Sequence, residues 1–363
     1  MAAMGRRFEL HTARLTVRPL ARPDVTAFVR YRNLPGVARY QDWELPYTRD
    51  SAHRLIDDME RLGRPSPGEW VQLAIEHTPS GRLAGDVAVW LDEHQRQAMI
   101  GYTLAPEFQG HGFTTEAVAA VIEWLFSDGK GPGVHRIAAT LDPLNRASAR
   151  VLEALGFEYE GTARSAAYVR GTWDDDARFA LLRPDWEAWK ARPTGPPERV
   201  ELTEVSNDDV RHLLQLGPAF SQREMVASVA ESIGDALVPP IEQGVALRPW
   251  YRAIRADGEL VGFVMLAEPH EGQPHPYLWR LVIARRHQLR GIGRKVIELI
   301  ADGWRTAGAE RLFVSYIPDV PGNPARFYTR LGFVPTGRID DGEVEAALDL
   351  AARASGVAEG DQG

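Results

Sequence analysis

Two glycine turns are the residues of this chain best suited to hold a charged ligand. Gln109-Gly110-His111-Gly112-Phe113-Thr114 and Gln288-Leu289-Arg290-Gly291-Ile292-Gly293 share the spacing Gln-x-x-Gly, and each stands where a strand-like run gives way to a helix-like one. A turn in that place aims the free N–H groups of the first helical turn at one point, where the helix dipole also favours negative charge. Glycine lets a ligand approach the backbone closely and tolerates positive φ. The natural guest is a pyrophosphate. Two better-known phosphate loops are excluded. The dinucleotide fingerprint needs a glycine or alanine three residues after its second glycine, where Thr115 and Val296 stand, and no GxxxxGK[ST] string occurs.

The flanking patterns supply the elements that must position these turns. Before the first, Ile100, Tyr102 and Leu104 alternate as on a strand with one buried face. After it, Val118, Val121, Ile122, Leu125 and Phe126 recur as the stripe of a helix packed on a sheet. The second turn follows the run Leu278–Ile283 and precedes the stripe Val296, Leu299, Ile300 and Trp304. Each copy leads to a Leu-Gly-Phe tripeptide, Leu155-Gly156-Phe157 and Leu331-Gly332-Phe333, and the leading glutamines lie 179 positions apart in 363 residues. The pattern predicts a duplicated domain of α/β or α+β class, in which each half is a mixed, mostly antiparallel sheet flanked by helices. The halves are expected at 1–190 and 200–351. Residues 191–199, with three prolines and a glycine, form the linker, and 352–363 a flexible polar tail.

These residues resemble the GNAT superfamily of N-acetyltransferases, whose signature is Gln/Arg-x-x-Gly-x-Gly/Ala. The second copy matches at every position, and the first has Thr114 where Gly or Ala is usual. The first half resembles the ribosomal-protein N-terminal acetyltransferase branch, with Leu15-Thr16-Val17-Arg18-Pro19-Leu20 as first strand and Asn145-x-x-Ser148 ahead of Leu-Gly-Phe. The second half resembles bacterial diamine and polyamine acetyltransferases through strings such as Val261-Gly262-Phe263-Val264-Met265-Leu266, Phe327-Tyr328-Thr329-Arg330 and Asp341-Gly342-Glu343-Val344. The resemblance implies acetyl-coenzyme A as acyl donor. It implies that Gln109, Gly110, His111, Gly112, Phe113 and Thr114 contact its pyrophosphate in one half. In the other half the contacts are Gln288, Leu289, Arg290, Gly291, Ile292, Gly293 and Arg294. A splayed strand should offer backbone groups to the acetyl end near Leu104 and near Leu281 to Ile283. The family's general-acid tyrosine falls on Tyr328, four residues before Gly332. The equivalent place in the first half is Leu152, which has no proton to give; Ser148 is the substitute hydroxyl there, or else a helix-start cap. Asn145 is a pantetheine partner or a turn residue.

The chemistry needs further groups. An alkylamine with pKa of about 10 is mostly protonated at neutral pH and must lose a proton before it attacks. Asp86, Glu268 and Glu343 are candidate bases, each read on balance as a solvated or hinge carboxylate. Trp43 and Glu44 are candidates for lining an acceptor site, although a loop aromatic anchored on the core is the plainer reading. His111 reads as solvated, and Arg290 as either solvated or a phosphate ligand.

With no cysteine, disulfides and a cysteine acyl-enzyme are excluded. Ten histidines lack metal spacing such as HExxH, so no metal is expected. A formal charge of −8 argues against a nucleic-acid partner and for a cationic acceptor. With no apolar run of about 18 residues, no membrane partner is expected and the cytoplasm is the expected location. The oligomeric state is left open. The resulting expectation is direct acetyl transfer to a primary amine of a small molecule, polyamine-like or an amine-bearing antibiotic. The alternatives are protein N-terminal acetylation by the first half, or one half that is a non-catalytic module, binding coenzyme A or an effector or completing the other half's acceptor site; Leu152 favours the first half for that role.

Two intact turns predict two coenzyme A molecules per chain by titration calorimetry. Gly112→Glu and Gly291→Glu should each remove one of them, because the new carboxylate takes the anion's place. Saturation of the unaltered chain at one equivalent would contradict the duplication of function.

Overall fold

The computed structural model describes residues 8–242, 244–318, 320 and 322–351; the expected tail from 352 lies outside them. The chain divides into two compact units, Met1–Ala191 and Arg192–Gly363. Residues 191–199 form neither helix nor strand, and within the second unit Asp257 N donates to Arg199 O at 2.9 Å.

The first unit is an eight-stranded sheet. Its strands Leu15–Pro19, Trp70–His77, Arg82–Leu91 and Gln97–Leu104 run in sequence order and pair antiparallel, whereas Gln97–Leu104 pairs parallel with Arg136–Leu141. The hairpin Glu158–Val169 and Thr172–Leu182 closes the far edge. The helix Phe113–Phe126 is the crossover that parallel neighbours require. All five residues of its predicted stripe, from Val118 to Phe126, are buried.

The second unit repeats the plan with seven strands. Pro249–Ala256, Glu259–Ala267 and Tyr277–Ile283 are antiparallel neighbours, and Tyr277–Ile283 pairs parallel with Arg311–Tyr316 after the crossover helix Ile292–Thr306. Glu343–Asp349 and Val334–Asp340 complete that edge. Val296 and Ile300 pack in the core, while Leu299 and Trp304 are half-buried.

Leu-Gly-Phe has the same structural task in both units. Phe157 N bonds Leu152 O at 3.0 Å and Phe333 N bonds Tyr328 O at 3.1 Å, which closes the end of a short helix. Gly156 and Gly332 carry φ of 86° and 95°, as such a helix stop demands. The phenylalanine then enters the core, 0% exposed in one unit and 2% in the other.

One expectation is overturned here. Asp86 is neither solvated nor at a hinge but 0% exposed. Its carboxylate accepts from the Tyr31 hydroxyl and the Gln72 amide, and Arg32 lies 3.5 Å away. The Arg32 guanidinium stands over Phe28, Trp43 and Tyr47 at 4.1, 4.2 and 4.9 Å. A cation that has lost water gains from such aromatic faces. Trp43 Nε1 donates to Arg32 O at 3.2 Å and Asn33 bonds the backbone of Tyr47 in both directions. The loop that ends at Tyr47 is therefore fastened onto the helix Val25–Arg32, and Trp43 is a core anchor. Glu44 stays exposed.

Removing one member of a buried pair strands the other charge. Asp86→Ala should cost the first unit about 3–5 kcal/mol of unfolding free energy in urea. Asp86→Leu combined with Arg32→Met, which removes both charges, should recover most of it. Equal losses in the two variants would mean that the packing of this corner, not its charge, supplies the stability.

Candidate active site

The parallel strand pair of each unit joins at one end and separates at the other. In the first unit only Gln97–Met99 pair with Arg136–Ala138, and in the second only Tyr277 and Leu278 pair with Phe313 and Val314. Residues 100–104 and 279–283 therefore have no ladder partner on that side among the described residues. A strand edge left open offers N–H and C=O groups to a ligand.

The glycine turns sit at the open ends and are held by their glutamines. Gln109 Nε2 donates to Leu104 O, and Gln288 Nε2 to Ile283 O, each at 3.0 Å. The side chain of each glutamine thus ties the turn to the end of the splayed strand, a task that motif spacing alone did not reveal. What remains for a ligand is backbone. Among the described residues, the N–H groups of 110–115 and of 289–294 find no protein acceptor. No side chain caps either helix. Gly110 and Leu289 adopt φ of 77° and 62°, and Gly112 and Gly291 adopt 76° and 79°, so the two turns share one backbone course. A Cβ at Gly110 or Gly291 would meet nothing within 4 Å, which leaves room for an anion over the turn. Gly293 is pressed from inside: its Cβ would lie 3.3 Å from Phe327 and 4.0 Å from Leu281. At the same point of the first turn stands Thr114, half-buried.

Some side chains depart from expectation. Arg290 is 7% exposed. Its Nε donates to Gly195 O at 2.8 Å and it lies 3.0 Å from His287 Nδ1, so the guanidinium is neither solvated nor turned to a phosphate. His111 is exposed, as read, and stacks on the buried Phe113. Ile292 is buried, and Arg294 is exposed.

Arg14 was invisible to motif reading, because it comes from the loop between a short strand, Leu10–His11, which precedes the expected first strand, and Leu15–Pro19. Its Nη1 donates to His111 O at 3.0 Å, its Nε to Glu116 at 2.7 Å, and its Nη2 would lie 3.7 Å from a Cβ on Gly112. Glu116 is an acid in the first helical turn, next to the free N–H groups. Burial raises its pKa, but bonds from Thr12 and Arg14 outweigh this and hold the carboxyl below its ordinary value. Arg14 thereby offsets a charge that would repel an anion.

The second unit supplies Tyr328 on the helix Ala325–Arg330. Its ring packs between Tyr316, Phe327 and Phe333 at 6.0, 5.2 and 5.4 Å, in one apolar cluster with Leu281 and Ile292. Burial pushes the phenol well above its ordinary pKa. The splayed strand carries a bulge: Met265 faces Arg280 and Leu266 faces Leu278, which leaves Trp279 extra. Trp279 packs with the cluster around Phe263 and Val282, and Arg280 lies 3.4 Å from Asp235. Two successive side chains are thereby aimed at the face away from the turn helix. Tyr277, Ser315, Glu343 and Glu345 lie on that same face by alternation, since Val314, Tyr316, Val344 and Ala346 pack on the turn-helix side. Glu343 accepts from the Ser315 hydroxyl, and Glu345 from Thr336 at 2.8 Å. Burial raises the Tyr277 phenol, opposed by Ser315 and assisted by both glutamates. Glu268, half-buried, follows the strand Glu259–Ala267 and bonds Arg248 O through its N–H at 2.8 Å.

In the first unit Asn145 caps the helix Arg146–Ala154 by accepting from Ser148 N at 3.2 Å. Ser148 is therefore not the cap. Its Oγ donates to Tyr102 Oη at 3.0 Å, and Tyr102 Oη in turn donates to Ser148 O at 2.9 Å. Leu152 is buried at 1%. Among the described residues no cluster could hold a metal ion, and no helix is long and apolar enough to cross a membrane.

Family models match both halves: an acetyltransferase (GNAT) domain over residues 14–158 and the acetyltransferase (GNAT) family over 222–333. The chain belongs to the GNAT acetyltransferases. It is 36% identical over 136 residues to "Probable N-acetyltransferase YjcK" of Bacillus subtilis (strain 168), covering 37% of this chain and 72% of that one. It is 30% identical over 176 residues to the "Uncharacterized N-acetyltransferase YoaA" of the same organism, covering 48% and 97%. Over 87 residues it is 37% identical to the ribosomal protein uS5-alanine N-acetyltransferase of Escherichia coli (strain K12), covering 24% and 43%. A GNAT enzyme takes its acetyl group from acetyl-coenzyme A, and turns lined by free N–H groups fit the pyrophosphate of that substrate.

Arg14→Ala should weaken coenzyme A binding at the first turn by about three- to tenfold, measured by calorimetry in low salt in a Gly291→Glu background. Adding Glu116→Gln should restore most of the loss. No restoration would show that Arg14 acts by holding His111 O rather than by offsetting the carboxylate.

Proposed function

We propose that this chain is a tandem GNAT enzyme that moves acetyl from acetyl-coenzyme A directly to a primary amine of a small molecule, with the second unit as the better-equipped catalyst. The observation that carries the assignment to the second unit is the coincidence of three features on one splayed strand. Its Leu281 packs against the Tyr328 cluster, its end is tied to the free-amide turn, and its bulge turns Trp279 and Arg280 toward a face that also bears Glu343 and Glu345.

In this reading the turn from Gln288 to Arg294 holds the pyrophosphate through its N–H groups. The open segment from Leu281 to Ile283 offers fixed donors to the oxygen of the tetrahedral intermediate. The carboxylates of the far face draw the cationic amine in, as a net charge of −8 already favours. Glu343 is the proton acceptor, because it lies on the face toward which the bulge turns Trp279 and Arg280. Nitrogen attacks the acetyl carbon, the C–S bond breaks with its electron pair on sulfur, and Tyr328 gives the departing thiolate a proton. Its raised pKa suits an acid that must hold its proton until the thiolate appears.

A second reading, acetylation of a protein N-terminus by the first unit, is supported by the similarity to the E. coli enzyme named for N-acetylation of an alanine of ribosomal protein uS5.

Tyr328→Phe keeps the ring packing and deletes the hydroxyl. It should lower turnover on the best amine by about 10²–10⁴ and leave coenzyme A affinity nearly unchanged, read from free-thiol release over an amine panel. Unchanged turnover would remove Tyr328 from the mechanism.

A further inference from the structure

The two units can be matched position by position through bonds that they share. Gln109 and Gln288 bond Leu104 O and Ile283 O, which makes Tyr102 the counterpart of Leu281 on the splayed strand. The closing bonds Phe157 N to Leu152 O and Phe333 N to Tyr328 O make Leu152 the counterpart of Tyr328. Each unit therefore carries one tyrosine and one leucine at these two places, with the positions exchanged. In the second unit Leu281 packs against the cluster that holds Tyr328, so both places lie on the same side of the sheet. In the first, Ser148 and Leu152 are four residues apart on one helix face, and Tyr102 reaches that face: its Oη is 3.0 Å from Ser148 Oγ and 2.9 Å from Ser148 O.

We infer that Tyr102 is the first unit's replacement for the tyrosine missing at Leu152, a positioning residue that orients Ser148 as the proton donor to the departing thiolate. This rests on the reading of the first unit as a second acetyl-transfer site. As nitrogen bonds to the acetyl carbon and the C–S bond breaks toward sulfur, the Ser148 hydroxyl gives its proton to the thiolate. The Ser148 oxygen takes the proton that the attacking nitrogen sheds. The Ser148 proton leaves its bond to Tyr102 Oη for the thiolate, and Tyr102 then turns its O–H from Ser148 O to Ser148 Oγ and keeps its own proton throughout. Burial holds the phenol well above its ordinary pKa, which favours this constant protonation. Leu152 then needs no proton, and its burial supports the helix that carries Ser148.

The test uses the full chain with Gly291→Glu, which leaves the first turn as the only intact cradle, and reads thiol release over an amine and N-terminal peptide panel. Tyr102→Phe should lower kcat about 10- to 100-fold with KM for acetyl-coenzyme A within about twofold. Ser148→Ala should lower it at least as much. The double variant should be no slower than Ser148→Ala, because Tyr102 acts only through that hydroxyl. Ser148→Thr, which keeps a hydroxyl, should retain more activity than Ser148→Ala. An unchanged kcat in Tyr102→Phe, or losses that multiply in the double variant, overturn the inference. A Gly291→Glu chain that binds coenzyme A yet transfers nothing to any acceptor also overturns it, since the first unit is then a binding module. A Gly291→Glu chain that binds no coenzyme A overturns instead the reading of the first turn.

Discussion

Everything at the two sites depends on where one strand pair stops pairing. Parallel ladders hold two strands together evenly along their length, so a pair that ends after two or three residues must be pried apart by something. The prising element is in view in each unit. The turn helix packs its first residues, Phe113 or Ile292, into the core, and the turn glutamine bonds the end of the diverging strand. The strand is thus fixed to the helix that follows it rather than to its parallel neighbour. Opening the sheet costs ladder bonds but creates a slot whose wall is backbone and whose mouth is a helix N-terminus.

That arrangement gives several conspicuous side chains of the turns a mechanical task. A backbone cradle needs a fixed course more than it needs charge. The glutamine fixes the strand end. In the second unit Arg290 fixes the loop against Gly195 and His287, and in the first Arg14 does so through His111 O. Different residues solve the same mechanical problem, so residue identity varies between the two turns while the φ values nearly coincide.

This also marks what could be read from the sequence. The duplication, the crossover helices and the two turns were legible because they rest on local periodicity and on glycine spacing. The splay was legible only through family resemblance. Nothing in a one-dimensional pattern says that Tyr102, alternating between Ile100 and Leu104, meets a serine 46 residues later. Nor does it say that Asp86, in a run of small and apolar residues, is neutralised by Arg32 from a helix that precedes it. The bulge at Trp279 was hidden as well, since it appears only when the register with Met265 and Leu266 is known. Buried polar contacts between distant segments decide which carboxylate is free, and local patterns do not contain them.

Leu289 shows what the cradle demands of its sequence. Its counterpart Gly110 takes a left-handed course at little cost, whereas a leucine with φ of 62° pays about 1–2 kcal/mol for the clash of its Cβ with the following carbonyl. The side chain recovers nothing by burial, being 103% exposed. Strain of this kind persists only where the surroundings over-determine the backbone. Here the neighbours do so from both sides: Gln288 is bonded to Ile283 O, and the guanidinium of Arg290 is buried. The turn is held in its left-handed course before any anion arrives, so the N–H groups of 289–294 are already aimed and a pyrophosphate need not pay for ordering them.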